Sequence, residues 1–213
     1  MIDLPTMTRG LFTLLVAYLL GSLPTALIIA RVIDGVDIRE IGDGNMGARN
    51  ITHTLGWGPG ITVAIIDFSK GSLSVFLAQV FRLGLGWQLV ACAFAVLGHD
   101  FPIYASLRGG QGMAAILGGL IVLMPRETLV GMLAFGIVYL IIRNFDPSAA
   151  LGLALLAFMA WLWDEPIQLI GCTILLFLSI PAKKAIDQPR RRRLNKQTAQ
   201  AEQNHETHPV SLR

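Results

Sequence analysis

Long runs of apolar residues alternate with short polar segments along this chain. The two longest runs hold few charges: Arg31 lies near the end of 11–33, and Asp67 and Lys70 lie within 58–81. Each is long enough to cross a hydrocarbon core, which needs about 20 helical residues. Shorter apolar runs follow at 87–98, 113–124, 129–142, 149–163 and 167–180. The pattern predicts an all-α integral membrane protein, a multi-pass helical bundle with five to seven spans, of which seven is favoured.

Several of these later runs are shorter than a full span and lie next to Gly or Pro. Broken or re-entrant helices, covered by protein rather than by lipid, explain such segments. The first run is interrupted by Gly-Ser-Leu-Pro-Thr at 21–25, where Pro24 removes a backbone donor and leaves carbonyl groups that need partners. An ordinary proline kink and a polar cavity wall lined by Ser22 and Thr25 are both consistent with this interruption.

Composition and charge support the same class. The chain is 54% hydrophobic and 15% charged, whereas a soluble domain carries about 25% charged residues. With seven spans, most of the 17 Lys and Arg residues fall on one side of the membrane, which predicts that this side and the C-terminus are cytoplasmic and that the membrane is the inner one. The basic run 190–193 then contacts anionic lipid headgroups, and no nucleic-acid partner is expected. We expect a membrane domain at 1–182 and a basic, disordered cytoplasmic tail at 183–213.

Two charged residues stand inside the second long run. Asp67 and Lys70 are three residues apart and so share one face of a helix. Charges within a span are costly and usually mark a functional or paired site. A purely structural ion pair is the alternative, and in either case the opposite charges keep each other ionised.

His99, Cys92 and Cys172 are candidates for metal or redox chemistry. Both cysteines lie alone in apolar runs, which indicates packing, and no His or Cys at ligand spacing accompanies His99. We therefore expect no metal and no cofactor. His99 is either a buried hydrogen-bonding residue or a group that contacts substrate as a general acid or base, and the second interpretation is preferred.

Two glycine-rich segments, 39–50 and 98–112, are here named loop A and loop B. Glycines let successive backbone N–H groups converge on an anion, and arginine can hold phosphate oxygens through two parallel hydrogen bonds. The end of loop B, 109–112, leads into the apolar run from Met113 and so places an anion at a helix N-terminus. Tight membrane turns are the alternative, but two such loops on one predicted face favour an anion site.

Four segments, in this order and with these gaps, resemble the bacterial acyl-phosphate:glycerol-3-phosphate acyltransferases (PlsY). Gly-Ser-Leu-Pro at 21–24 matches the family's GSxP segment, and 42–50 of loop A matches GSGNxGATN. The Asp-x-x-Lys-Gly of the family's second helix is matched at 67–71, and loop B matches GHxFPxxxxFKGGKG with the same internal spacing. The resemblance is dense from residue 17 to residue 115 and thin afterwards.

This resemblance implies a seven-helix inner-membrane enzyme with a cytoplasmic active site. Such enzymes transfer a fatty acyl group from acyl phosphate to the 1-hydroxyl of glycerol 3-phosphate, with lysophosphatidic acid and phosphate as products. The implied partners are these two small molecules and the lipid bilayer, and no oligomer is required. The implied catalytic residues are His99, Arg108 and Lys70. The implied substrate and phosphate ligands are Ser22, Gly42, Asp43, Gly44, Asn45, Gly47, Arg49, Asn50, His53, Asp67, Gly109, Gly110, Gln111, Gly112 and Arg143.

The chain departs from the family pattern at several of these positions. Asp43 replaces the serine of loop A, Arg49 replaces the following threonine, and His53 stands where an arginine is expected. The two lysines of loop B become an arginine and a glutamine, at 108 and 111. Later changes are an aspartate for the serine of an Arg-x-x-Ser segment, at 143–146, and the loss of a recognisable C-terminal histidine/asparagine motif in 186–196.

The departures leave more than one function open. Asp43 is expected to repel phosphate, while Arg49 and Arg108 keep the loops cationic. An active acyltransferase with a rearranged phosphate site is favoured over a paralogue with another acceptor or no catalysis. A transporter of a phosphorylated lipid precursor is a further alternative, although no convincing internal repeat relates the two halves of the chain.

Overall fold

The computed structural model describes residues 4–207, with an unbroken set of side chains as far as residue 194, and all regular elements in that range are helical. The main helices are α1 (Leu4–Gly21), α2 (Thr25–Asp34), α3 (Ala48–Leu55), α4 (Trp57–Val80), α5 (Leu85–Asp100), α6 (Met113–Leu123), α7 (Pro125–Ile142), α8 (Phe145–Leu162) and α9 (Ile167–Thr207). Single 3-10 turns at Ile38–Glu40 and Ile103–Ala105 lie in loops A and B or at their edges. The all-α prediction is confirmed.

The number of spans lies within the predicted range of five to seven. Within 4–207, 6 helical segments are long and apolar enough to cross a membrane, with α1 and α2 counted as one. One further apolar helix, α6, has only 11 residues. It is therefore about 16 Å long, against a hydrocarbon core of about 30 Å. The favoured count of seven is thus approximate, and α6 is a short helix inside the bundle.

Small residues set the distance between neighbouring helices. Where α4 crosses α6, a Cβ atom on Gly71 would collide with the carbonyl of Ala115, and one on Gly118 would collide with the carbonyl of Phe68. Glycines also separate α1 from α5 and α7 from α8. Because lipid offers no hydrophobic drive for helices to associate, close packing through small residues is what holds such a bundle together.

Apolar side chains fill the centre of the bundle and also cover its outside. The main core lies between α4, α5, α6, α8 and α9, and it contains Cys92, Ile116 and Leu156. Cys172 packs against this core, as expected of a packing residue, and both cysteines are free thiols. Large apolar residues such as Leu133 are exposed on the outer helix faces, as expected where lipid is the solvent.

The last helix differs from the sequence-based expectation. α9 passes the predicted boundary at residue 183 and continues to Thr207, although it contains Pro181 and Pro189. Lys183 and Asp187 are buried, and they form an ion pair of 2.5 Å one helical turn apart. In the structure 183–194 is helical and its paired charges let this polar segment pack on the bundle, while the division into a membrane domain and a tail stays a prediction. Residues 208–213 of the predicted tail lie outside the described residues.

Candidate active site at the polar end of the bundle

A buried cluster of three titratable side chains joins α4 to α5. Lys70 Nζ donates to Asp67 Oδ1 at 2.6 Å and to the carbonyl of Leu23 at 2.6 Å. His99 Nδ1 lies 3.7 Å from the same Asp67 oxygen, beyond ordinary hydrogen-bond length. All three side chains are buried. We call Asp67, Lys70 and His99 the buried cluster.

The break between α1 and α2 takes part in this arrangement. Leu23 belongs to the Gly-Ser-Leu-Pro break, so Lys70 occupies one of the carbonyl groups that the break makes available. Ser22 is completely buried, and its hydroxyl has no hydrogen-bonding partner among the side chains and backbone that the structure describes. The break is therefore part of the polar region, as well as a kink in the first span.

α5 extends to Asp100 and so includes the start of loop B, and the later part of the loop is held against this helix end through backbone contacts. The N–H of Gly110 donates to the carbonyl of His99 at 3.1 Å, and a Cβ atom on Gly110 would collide with His99 Nε2. Gly109 lies similarly close to the carbonyls of His99 and Asp100. These two glycines are thus required by close approach to α5, which places the imidazole of His99 beneath the loop.

The rest of loop B is open. Arg108 is exposed, and its guanidinium has no partner among the described side chains. It follows Ser106 and Leu107, whose φ angles of 55° and 59° turn the loop outward. Gln111 is partly exposed, and Gly112, with φ of 69°, begins α6. Arg108 and Gln111 are therefore available to a ligand, whereas the glycines between them form the base of the loop.

Loop A is organised around the side chain of Asn50. Its amide nitrogen donates to the carbonyls of Ile38, Ile41 and Asn45 at 3.0–3.3 Å, and its oxygen accepts from the N–H of Asp43 at 3.1 Å. With only 2% of its surface exposed, Asn50 shapes the loop from within. In this arrangement its hydrogen-bonding capacity is used by the backbone rather than presented to a substrate.

The other predicted residues of loop A differ in accessibility. Gly42 and Gly44 have positive φ angles of 62° and 68°, as expected of turn glycines, and Gly47 precedes α3. Asn45 Oδ1 is buried without a partner among the described atoms. His53 is exposed on α3, one turn beyond the loop.

An arginine links the two loops. Arg39 donates to the carbonyl of Ala105 at 3.2 Å and binds both carboxylate oxygens of Asp37, at 2.9 and 2.6 Å. The hydrogen bonds from Arg39 lower the pKa of the Asp37 carboxyl from 3.8 to about 2, so this connection stays charged at neutral pH. Loops A and B therefore meet at one end of the bundle, the polar end, as the prediction of a common face requires.

α9 contributes residues that the sequence analysis did not assign to the site. Arg191 Nη2 lies 3.0 Å from Asp43 Oδ2, and Arg190 donates to the carbonyl of Gly44 at 3.2 Å. Leu194 packs on Gly44, where an added Cβ atom would come within 2.6 Å of its side chain. Together with Lys183, whose Nζ lies 5.2 Å from the centre of the Phe101 ring, they line one face of the helix. Counted from Lys183, Asp187 and the other three residues follow at 4, 7, 8 and 11 positions. This helical spacing is the signal that could have identified the face from sequence.

A third group of charges lies at the edge of the polar end. Asp146, in the first turn of α8, accepts from Arg49 at 3.0 Å and from Lys184 at 2.6 Å. Arg49 also lies over the ring of Phe145, with its guanidinium carbon 5.0 Å from the ring centroid. Arg143 ends α7 as an exposed residue with φ of 52° and does not join this group.

Comparison with known proteins decides the family. The sequence model of the glycerol-3-phosphate acyltransferase family matches residues 11–190. The chain belongs to this family. It is 33% identical over 183 residues to glycerol-3-phosphate acyltransferase 2 of Dehalococcoides mccartyi (strain 195), an alignment that covers 83% of this chain and 86% of the relative. It is 45% identical over 124 residues to a glycerol-3-phosphate acyltransferase of Thermus thermophilus, covering 58% of this chain and 61% of the relative. The chain thus spans less than two thirds of the Thermus protein.

Solved structures of a glycerol-3-phosphate acyltransferase share the fold. The integral membrane glycerol 3-phosphate acyltransferase PlsY (YgiH), in its glycerol 3-phosphate form, is 28% identical, with a TM-score of 0.78 over 85% of this chain and 90% of that one. The lysophosphatidic acid form of PlsY gives 27% identity and a TM-score of 0.76, with the same coverage. The protein is therefore an integral membrane protein of the acyltransferase fold. These relatives do not favour the transporter alternative.

Against the acyltransferase pattern, two carboxylates of this chain stand where the family resemblance expects serines. Asp43 is paired with Arg191, and Asp146 is paired with Arg49 and Lys184. Neither carboxylate therefore presents an uncompensated negative charge at the polar end. The repulsion of phosphate expected from Asp43 is offset by its counter-ion Arg191 on α9, which is 148 residues away along the chain.

Proposed function

We propose that this protein transfers a fatty acyl group from acyl phosphate to the 1-hydroxyl of glycerol 3-phosphate. The observation that carries the proposal is the meeting of loops A and B at the polar end of an acyltransferase fold, linked by Arg39 and Ala105. The loop backbone, Arg108 of loop B, and the basic residues Arg190 and Arg191 against loop A are the proposed binding groups for two phosphates. The relative of known structure has been solved in a glycerol 3-phosphate form and in a lysophosphatidic acid form, which agrees with the proposed acceptor and product.

The fatty acyl chain is proposed to enter an apolar cavity between α6, α7 and α8. The cavity has a volume of about 150 Å³ and is lined by residues that include Met113, Leu117, Phe135 and Leu156. One of its lining residues, Met113, directly follows Gly112 of loop B. Because ligand pockets usually measure roughly 300–1,000 Å³, this cavity holds part of an acyl chain and leaves the remainder to the surrounding lipid.

In the proposed reaction, the 1-hydroxyl oxygen of the acceptor forms a bond to the acyl carbonyl carbon. The bond from that carbon to the phosphate oxygen breaks, and the hydroxyl proton leaves with the phosphate or through a nearby base. Acyl phosphate is already an activated anhydride, so holding the two substrates together and neutralising their charges accounts for catalysis without a protein nucleophile. Arg108 is the residue proposed to contact a phosphate directly.

The buried cluster has a supporting role in this mechanism. Lys70 is engaged with Asp67 and Leu23, and His99 Nε2 packs against Gly110. These groups fix α4, α5 and the base of loop B relative to one another. A general acid or base role for His99 requires a movement of loop B that uncovers its ring, and it stays a prediction.

The polar end is proposed to face the cytoplasm across the inner membrane. The support is the distribution of Lys and Arg, together with the basic segment of α9 at the same end as loops A and B. Single cysteines at Ser106 and His53, introduced after Cys92 and Cys172 are replaced, should resist an impermeant maleimide in whole cells and react in inverted vesicles. Labelling of these cysteines in whole cells would show that the orientation is the reverse of the proposed one.

The enzymatic proposal is tested by product formation in detergent. Purified protein mixed with palmitoyl phosphate and glycerol 3-phosphate should release inorganic phosphate and form lysophosphatidic acid in equal amounts. A transporter forms no product without a sealed membrane. If folded protein yields no lysophosphatidic acid above the uncatalysed rate, the acyltransferase proposal is wrong for this chain.

A further inference from the structure

Two departures from the family pattern meet in space. Asp43 stands in place of the loop A serine, and residues 186–196 lack a recognisable C-terminal motif. In the folded chain, Arg191 of that segment lies 3.0 Å from the Asp43 carboxylate. The neighbouring Arg190 binds the backbone of loop A at Gly44. The two changes therefore form one contact between α9 and loop A.

We infer that Arg191 is a positioning residue for the acceptor site, and this inference rests on the proposed acyltransferase function. Through Asp43 it holds loop A in its binding conformation and cancels the negative charge that Asp43 adds to the loop. α9 thereby becomes part of the phosphate-binding machinery, although the sequence presents it as a lipid-facing helix followed by a basic tail.

The geometry of Asp43 explains why its partner matters. One carboxylate oxygen accepts from the N–H of Asn45 at 3.0 Å, within the loop, and the other faces Arg191. The backbone N–H of Asp43 is bound to Asn50. The side chain of Asp43 is thus tied into loop A on one side and to α9 on the other, so a change at α9 is transmitted to the loop.

Neighbouring contacts also hold α9 against loop A. Arg190 bridges the carbonyl of Gly44 and the carboxylate of Asp187, the latter at 3.7 Å. Asp187 is itself paired with the buried Lys183, and Leu194 packs on Gly44. The Arg191 side chain is 25% exposed and that of Asp43 is 28% exposed, so solvent screens their attraction only in part.

Hydrogen exchange on the full chain in detergent tests the contact without reference to activity. Asp43→Asn and Arg191→Gln should each speed amide exchange at least about threefold in 42–50 and in 186–194, while exchange in α4 and α6 stays unchanged. Arg193→Gln is the matched control, because it removes the same charge from an exposed position on the same helix. Unchanged exchange in both segments of both variants, or an equal effect of Arg193→Gln, would overturn the inference.

Steady-state kinetics test whether the contact serves the acceptor site. Arg191→Gln should raise the KM for glycerol 3-phosphate about tenfold with a smaller change in kcat, because the carboxylate of Asp43 is left uncompensated. The double variant with Asp43→Asn should recover part of that loss, because it removes the uncompensated charge but leaves loop A loosened, and Arg193→Gln should behave as wild type. A double variant as impaired as Arg191→Gln, or more so, would refute the charge-cancelling role.

The two readouts separate the inference from the proposal beneath it. Inactive wild-type protein with exchange effects as expected rejects the acyltransferase proposal and, with it, the role at an acceptor site. Active wild-type protein without exchange effects leaves the acyltransferase in place and rejects the contact between α9 and loop A.

Discussion

The buried cluster and the contact between α9 and loop A hold charges in place by different means. In the buried cluster, Asp67 and Lys70 are neighbours on one helix and are almost completely shielded, with side-chain exposures of 3% and 4%. The pair of Asp43 and Arg191 joins distant parts of the chain and keeps about a quarter of each side chain exposed. Breaking the pair in the buried cluster leaves a charge in a region of low dielectric constant. Breaking the pair between α9 and loop A leaves a charge that water can partly solvate.

This difference predicts that the buried cluster governs stability and that the α9 contact governs substrate binding. The two regions are close to each other, since loop B lies on His99 and is linked to loop A through Arg39. Variants at the two places should nevertheless affect different measurements.

The largest effect is expected for Asp67→Asn. It leaves Lys70 buried without its counter-ion, and removal of one partner of a buried pair costs about 3–5 kcal/mol. Thermal or denaturant unfolding in detergent should show the loss, together with lower yields of folded protein. The double variant Asp67→Asn/Lys70→Met should recover much of the stability, because no unpaired charge remains. Equal stability of wild type and of both variants would show that the pair is hydrated.

The second effect is on catalysis and comes from the open part of loop B. Arg108→Ala should lower kcat/KM at least about tenfold, which corresponds to the roughly 1.4 kcal/mol of one charge-assisted contact. Unfolding should be unaffected, because the guanidinium has no partner among the described side chains. Arg126→Ala is the control. Arg126 is an exposed arginine at the start of α7, and the length of α6 separates it from loop B. Wild-type kinetics in Arg108→Ala would remove this residue from the phosphate site.

Sequence alone predicted the pairing of Asp67 with Lys70, though not their contact with His99, for a physical reason. A carboxylate and an ammonium three residues apart inside an apolar run have few stable arrangements, since each needs the other or a polar partner within the membrane. The helical spacing then fixes which face carries them. The break at Pro24 was predicted from the backbone donor that proline lacks, and the structure adds that Leu23 of this break accepts a hydrogen bond from Lys70.

Sequence identified the glycines of both loops as important positions, but it predicted the physical reason for only some of them. Both loops were expected to bind anions through backbone N–H groups, yet Gly109 and Gly110 are required by their close approach to α5. Sequence cannot distinguish these roles, because a glycine that approaches a ligand and one that approaches a helix look alike. Asn50 is a similar case, as its amide is fully occupied within loop A.

The contact between α9 and loop A lay beyond local reasoning. Hydropathy classifies 183–194 as polar, and a run of arginines resembles a lipid-facing anchor. Burial of this segment depends on pairs within and between elements, such as Lys183 with Asp187 and Arg191 with Asp43. Arg191 and Asp43 are 148 residues apart, so only the folded chain brings the two charges together.

The smallest effect is expected for Asp146→Asn, which makes the same chemical change as Asp67→Asn in an exposed setting. The Asp146 side chain is 53% exposed, and its partners Arg49 and Lys184 are 39% and 40% exposed. Exposed ion pairs contribute about 0–1 kcal/mol, so the free energy of unfolding in detergent should fall by no more than about 1 kcal/mol. Adding salt to wild type should reproduce most of the shift, since solvent screens this pair and does not reach the buried one. A loss of stability comparable to that of Asp67→Asn would mean that the edge of the polar end is as tightly packed as its interior. Burial would then no longer explain why breaking the Asp67 pair is expected to cost more stability than breaking the Asp146 pairs.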